Sequence, residues 1–317
     1  MTRLTIAIVL LAVSLSQPLA AAETVTSEHG LWVWDSPPLL HDAHEREAFF
    51  DFCARHHIGV AGIEIFTRAT DAGRRLDNAA EWRTLIREAR RRGMRLHALD
   101  GDPHYALRSE HGTVLSIVDA VLAYNASVAP DERFYGIHLD IEPYLLPEWK
   151  EPSARERLLA DYLDLNLGAA ARARAAGVVY GVDIPFWWQS IDTATGEAVS
   201  ITTFRGVRKS ATAHLLKIVD IVGVMAYRNV AAGPDGIVTR ALETLDLADN
   251  ADGARTFVGV ETEKVSEGVP AKVTFAGKSL EQLDAEVRSV DDVFVGRPAY
   301  AGIAIHRYVS LRQMREQ

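Results

Sequence analysis

Tyr135-Gly136-Ile137-His138-Leu139-Asp140-Ile141-Glu142 changes character at every step. Ile137, Leu139 and Ile141 share one parity, and Gly136, His138, Asp140 and Glu142 share the other. Successive side chains of a strand point to opposite faces, so one face here is apolar throughout while the other becomes polar toward the carboxyl end. A strand of a parallel barrel needs this gradient. Its outward residues pack under helices, and its inward ones line the axis and turn polar at the end where βα barrels carry their chemistry.

The same rule runs through the chain. Val258 and Val260 oppose Phe257, Gly259, Glu261 and Glu263; Ile63 and Ile65 oppose Gly62 and Glu64; Ile303 and Ile305 oppose Gly302, Ala304 and His306. Leu31 and Val33 oppose Trp32 and Trp34, Asp183 follows Gly181, and Tyr227 follows Gly223. These runs predict eight strands, at 30–34, 60–66, 95–100, 135–142, 179–185, 221–227, 257–263 and 301–306. Helical periodicity fills the gaps, at 45–55, 82–92, 113–124, 153–176, 206–217, 240–247 and 280–290. Arg90-Arg91-Arg92-Gly93 puts cations in a last turn and glycine at the stop. An open doubly wound sheet is the competing architecture, but no G-x-G-x-x-G follows the first strand. The expectation is α/β: one (β/α)8 TIM barrel spanning 23–317.

Composition narrows the setting. With 48% hydrophobic and 24% charged residues the 317-residue chain has the make-up of a folded globular protein. A net charge of −9 argues against a broad grip on phosphate backbones, so nucleic acid is not an expected partner. Thr2-Arg3, the apolar run from Leu4 to Leu15 and Ala20-Ala21-Ala22 predict a cleaved secretory signal over 1–22. A secreted or periplasmic barrel follows, with no stable membrane insertion after cleavage. Cys53 is the single cysteine, so no intrachain disulfide can form, and its place in Phe49-Phe50-Asp51-Phe52-Cys53 predicts burial.

Seven strands converge on one mouth, bringing Trp34, Glu64, Asp140, Glu142, Asp183, Tyr227, Glu261 and His306 together. Five are acids. Crowded carboxylates desolvate and repel one another, which lets one keep a proton near neutrality while another stays ionised. Tyr144, Trp149, Trp187 and Trp188 follow the ends of the fourth and fifth strands, and flat aromatic faces suit the apolar faces of sugar rings. The segment 264–278 after the seventh strand is long enough for a lid. Asp100-Gly101-Asp102-Pro103-His104 could ligate a divalent metal, but the cluster is poor in histidine, and neither a metal nor a cofactor is expected.

The 135–142 octapeptide resembles the D-G-x-D-x-D-x-E fourth-strand motif of family 18 glycoside hydrolases, the chitinase-like barrels. Met225-Ala226-Tyr227 looks like that family's sixth-strand M-x-Y segment. The resemblance implies Glu142 as the acid that protonates the glycosidic oxygen. Asp140 would orient the substrate's own N-acetyl group, the nucleophile in that family, and Tyr227 would hydrogen-bond it. Four positions depart from the pattern: Tyr135 and His138 replace the first two aspartates, Arg228 stands where Asp is common, and His306 lies near the place of an eighth-strand Trp. In this reading His138 could pair with Asp140.

The barrel also resembles retaining glycosidases with glutamates on strands four and seven, which makes Glu142 the acid/base and Glu261 the nucleophile. Glu142-Pro143 resembles their N-E-P segment, with Ile141 in the Asn position. Both schemes predict a secreted glycoside hydrolase acting on a polysaccharide or amino-sugar glycan with Glu142 as proton donor. Its carbohydrate would rest on Trp34, Glu64, Asp183, Trp187, Trp188, His138, Arg228, His306 and Tyr144. An inactive glycan-binding barrel and, behind it, a metal-dependent hydrolase are the alternatives.

Overall fold

The computed structural model describes residues 28–71, 73–193, 195–251 and 253–315. The expected signal segment 1–22 lies outside the described residues. Twelve strands occur among them: β1 His29–Val33, β2 Ile58–Glu64, β3 Thr67–Thr70, β4 Gly73–Leu76, β5 Arg95–Asp100, β6 Gly136–Leu139, β7 Val179–Pro185, β8 Ile201–Phe204, β9 Val207–Ser210, β10 Ile221–Met225, β11 Arg255–Glu261 and β12 Tyr300–His306. Eight of these close a barrel in the order β1-β12-β11-β10-β7-β6-β5-β2. Every pairing in the ring is parallel.

The helices cover the barrel as the strand parity requires. Outward Ile137, Leu139 and Ile141 are buried in the main core. Helix α3, Ala79–Arg91, buries Trp82, Leu85, Ile86 and Ala89, one face at i, i+3, i+4 and i+7. Each large side chain buried this way contributes about 1.5–3 kcal/mol. Gly93 follows at φ 78, the left-handed stop that the Arg-rich last turn announced. Helix α5, Pro152–Ala175, packs Leu158, Leu159, Tyr162 and Leu163 inward, and its first turn is capped by Glu151. Helix α8, Leu280–Phe294, starts with a reciprocal capping box between Ser279 and Gln282. No described helix is long and apolar enough to cross a membrane.

Two hairpins depart from the sequence expectation. Strands β3 and β4 pair antiparallel after β2, where only a loop was expected. Strands β8 and β9 pair antiparallel as well, so the expected helix at 206–217 shortens to α6, Ala211–Leu215. The reason is local. Arg205 and Gly206 both adopt positive φ, 49° and 79°, which makes a two-residue turn whose twist suits a hairpin.

Inside the ring three polar side chains each lie over a glycine of the next strand. His97 of β5 is in register with Gly136, His138 of β6 with Gly181, and Asp183 of β7 with Gly223. A Cβ on Gly136 would come within 2.5 Å of the His97 ring, one on Gly181 within 2.5 Å of His138 Nδ1, and one on Gly223 within 2.0 Å of Asp183 Oδ1. Only hydrogen fits there.

Candidate active site

The fourth barrel strand stops pairing at Leu139, but Asp140 is still anchored, its N–H donating to Asp100 O at 3.0 Å. Gly101 backs it so closely that a Cβ there would lie 2.1 Å from the Asp140 carbonyl oxygen. Glu142 then opens a short 3-10 turn over Pro143–Leu145. That turn brings Tyr144 back so that its hydroxyl donates to Glu142 Oε1.

Two carboxyls therefore share one strand end, and both are pushed toward the protonated form. Burial is the first cause for Asp140, whose pKa stands well above the carboxylate range, and the nearby charges of Asp183 and Glu142 add to it. Burial also raises Glu142; the Tyr144 hydroxyl opposes the rise, Asp183 adds to it and His306 opposes it. Asp140 Oδ1 is buried with no hydrogen-bond partner among the described residues. Tyr227, held well above its usual range by burial and then by Glu261, Asp140 and Asp183, stays a neutral hydroxyl. The arrangement suits an acid that gives up a proton beside an orienting acid.

Asp183 and His138 lie beneath this pair rather than on the open surface. Asp183 is 2% exposed and His138 8%. Trp32 Nε1 donates to Asp183 Oδ2 at 3.0 Å, and His138 Nε2 lies 2.9 Å from the same oxygen. The structure thus directs His138 to Asp183 on the next strand, not to Asp140 as expected. The outward-inward alternation places both residues inside, and their depth down the axis leaves them no face toward a bound chain.

Glu261 is engaged on both oxygens: Oε1 accepts from the Glu263 N–H at 2.6 Å, and Oε2 lies 2.9 Å from His306 Nδ1. His306 sits within ring distance of Trp32 and Tyr227, at 6.2 Å from each. Arg228 is held by Asp235 at 2.9 Å and lies over the Phe186 ring, turned to its own loop. Asp235 also takes Lys272 at 2.6 Å, and Asn229 donates to Ala271 and Thr274, so the segment after β11 is fastened to the β10 loop.

Two further acids sit at the ends of β2 and β5. Glu64 is raised to about 7 by burial, with Asp100 and Asp35 adding to it. Asp100 is raised to about 6 by burial, against the pull of the Gly101 N–H and Tyr105. Trp34 is half-buried against the cluster of Trp32, Leu99 and Phe257.

The aromatic wall divides. Tyr144 and Trp187 meet edge to face at 5.1 Å, and Trp149 closes the corner at 5.8 Å from Trp187. Both Tyr144 and Trp187 keep a half-exposed face. Trp188 does not: at 0% exposure it stacks on Trp149 and abuts Tyr162, so it supports the wall instead of touching a ligand. A core tryptophan and a rim tryptophan are indistinguishable in the pair Trp187-Trp188 without the backbone turn that separates them.

Among the described residues no group of three or more His, Cys, Asp or Glu side chains is placed to hold a metal ion. In the Asp100–His104 stretch Asp102 bends back onto His104, accepting from its N–H at 2.7 Å and lying 2.8 Å from its Nδ1.

One residue was missed. His97 shares the inward parity of β5, and neither ring nitrogen has a partner among the described residues. Burial first, then the neighbouring His138 and Arg95, lowers its pKa to about 3. An unfolded imidazole takes up a proton near pH 6.5, so between there and about 3 the unfolded chain binds more protons and stability falls as pH drops. The expected slope from this group is up to about 1.4 kcal/mol per pH unit. Urea unfolding at several pH values checks it: His97→Leu should flatten the acid side of the stability curve, and equal slopes in both proteins would refute the assignment.

No family model matches the chain, and no curated protein matches it in sequence. Solved structures do match in fold. A GH18 chitinase from Pseudoalteromonas aurantia superposes with TM-score 0.55 at 13% identity, over 90% of this chain and 95% of that one. A GH18 chitinase from Cycas revoluta, solved in complex with (GlcNAc)3, gives 0.53 at 12% identity over 89% and 95%. The spore cortex-lytic enzyme SleL of Bacillus megaterium gives 0.51 at 12% identity over 93% and 76%. At such identities the likeness is one of fold, and the barrel is the one these hydrolases use.

Proposed function

We propose that the chain is an exported glycoside hydrolase acting on an amino-sugar glycan, with Glu142 as proton donor. The observation that carries the reading is the pair at the end of the fourth barrel strand: a half-buried Glu142 with a raised pKa, two residues beyond Asp140, whose pKa burial also raises. A general acid works best when its pKa lies near the operating pH, and burial moves Glu142 in that direction. The fold is that of chitinases, one of them solved with an N-acetylglucosamine trimer, and this supports an N-acetylated sugar as substrate.

In the proposed reaction Glu142 gives its proton to the glycosidic oxygen as the C1–O bond breaks. The substrate's acetamido oxygen attacks C1, while Asp140 and Tyr227 hydrogen-bond the acetamido group. Water then attacks C1 as its bond to the acetamido oxygen breaks and the acetamido group re-forms, a proton from the water returns to Glu142, and the two displacements leave the anomeric configuration retained. Direct attack by Glu261 is disfavoured, because His306 and the Glu263 N–H already occupy its oxygens. Tyr144 and Trp187 offer the flat apolar faces that pyranose rings stack on.

Incubating the chain with chitin oligomers, peptidoglycan and bacterial exopolysaccharides, with mass spectrometry of new reducing ends, tests the proposal. The expected result is cleavage of at least one N-acetylated polymer. Tight glycan binding with no cleavage anywhere on the panel overturns it in favour of a binding barrel.

A further inference from the structure

The octapeptide that carries the resemblance has a histidine where the family motif places an inner aspartate, so the fourth strand alone offers no second acid beneath Asp140. The fifth strand offers one. Asp183 stands one strand over, in register with Gly223 and close enough to Asp140 and Glu142 to raise both. Its position is tightly determined. The absence of a Cβ at residue 223 leaves room for Oδ1, while Trp32 Nε1 donates to Oδ2 and His138 Nε2 lies 2.9 Å from that same oxygen. His138 in turn fits only because residue 181 is glycine.

We infer that Asp183 is a positioning residue that supplies, from the neighbouring strand, the second acid beside Asp140, held in place by Trp32 and His138. The inference rests on the reading of Asp140 and Glu142 as the working pair and goes beyond it. Two carboxyls this near cannot both ionise freely, and donors on one of them decide which keeps the proton. Trp32 donates to Asp183, and the His138 ring lies 2.9 Å from the same oxygen. Burial and the neighbouring acids push Asp140 toward its protonated form, and the donor on Asp183 biases a shared proton the same way. The groups that face Asp140 are consistent with this distribution: Asp183 from β7, Glu142 and Tyr144 from its own strand and loop, Tyr162 from α5 and Tyr227 after β10. Asp140, Asp183 and Glu142 are the acids among them, and the three tyrosines stay neutral.

Infrared titration of the full chain tests the inference without turnover. The protonated carboxyl band of Asp140, identified by its loss in D140N, should persist to higher pH in the wild type than in D183N, by about one pH unit or more. W32F keeps both carboxylates and removes one donor, so the shared proton moves toward Asp183 and the Asp140 band weakens at fixed pH. The double variant H138D/D183N returns an acid to the fourth strand. It should restore the band and recover kcat lost in D183N, with KM within about threefold of the wild type, which a merely structural role would not produce. An Asp140 band that titrates alike in the wild type and D183N, is untouched by W32F, or is not restored in a folded H138D/D183N protein overturns the assignment. Because the infrared arm needs no activity, failure of the charge assignment and failure of the glycosidase reading remain distinct.

Discussion

Glu142→Gln is expected to lower glycan turnover by about 10²–10⁴-fold, the range that a positioned general acid contributes, while KM changes little. Gln keeps the size of the side chain and can still accept from the Tyr144 hydroxyl, so the loop over Pro143–Leu145 has no reason to move. What it loses is the proton. The pH profile gives a second reading of the same residue. Glu142 must be protonated to act, and its pKa is raised, so the alkaline limb of wild-type activity should fall above the ordinary carboxylate range. Substrates with a good leaving group, which need little protonation, should lose much less activity in the variant. Undiminished cleavage of an unactivated glycan by E142Q would remove Glu142 from the mechanism.

The second large effect comes from a residue that touches no substrate. In Gly101→Ala the added methyl would begin 2.1 Å from the Asp140 carbonyl oxygen, 3.0 Å from its carbonyl carbon and 3.2 Å from its Cβ. Backbone cannot step aside as a flexible side chain can. The end of the fourth barrel strand must shift, taking Asp140 and Glu142 with it. A displacement of about 1 Å at a catalytic group costs on the order of 10²-fold in rate, and overpacking of this kind costs about 1–3 kcal/mol of stability. Gly112→Ala makes the control, because that glycine lies in α4, His111–Ser127, with nothing within 4 Å of the added carbon. Kinetics and thermal melts of the two variants check the expectation. Wild-type kcat in G101A would show that the strand end tolerates the shift.

Much of the molecule was legible in the sequence because burial imposes a period. Outward Ile137, Leu139 and Ile141 must be apolar under helices, and this alone distinguishes them from inward His138 and Asp140. The mouth residues could be collected for the same reason. Depth along the axis was not legible. Nothing in the spacing of Asp183 or Trp188 says that one hangs below the working acids and the other behind the aromatic corner, since both depend on strand tilt and on a turn after β7. The hairpins escaped because their strands are short and polar, and Phe204-Arg205-Gly206-Val207 lacks the Asn-Gly or Asp-Gly pair that usually signals such a turn. The run Ile201-Thr202-Thr203 before it was a usable β-branched cue. His97 was readable by parity, but its two unpartnered nitrogens are facts of the packed interior.

The glycines facing His97, His138 and Asp183 have a consequence for anyone altering this protein. A large group on one stave is possible only where its neighbour carries none, so placing a side chain at residue 136, 181 or 223 requires a smaller partner across from it. Libraries that vary one codon at a time will leave these three glycines unchanged, whereas exchanging the bulky and the bare partner together opens arrangements that single steps cannot reach.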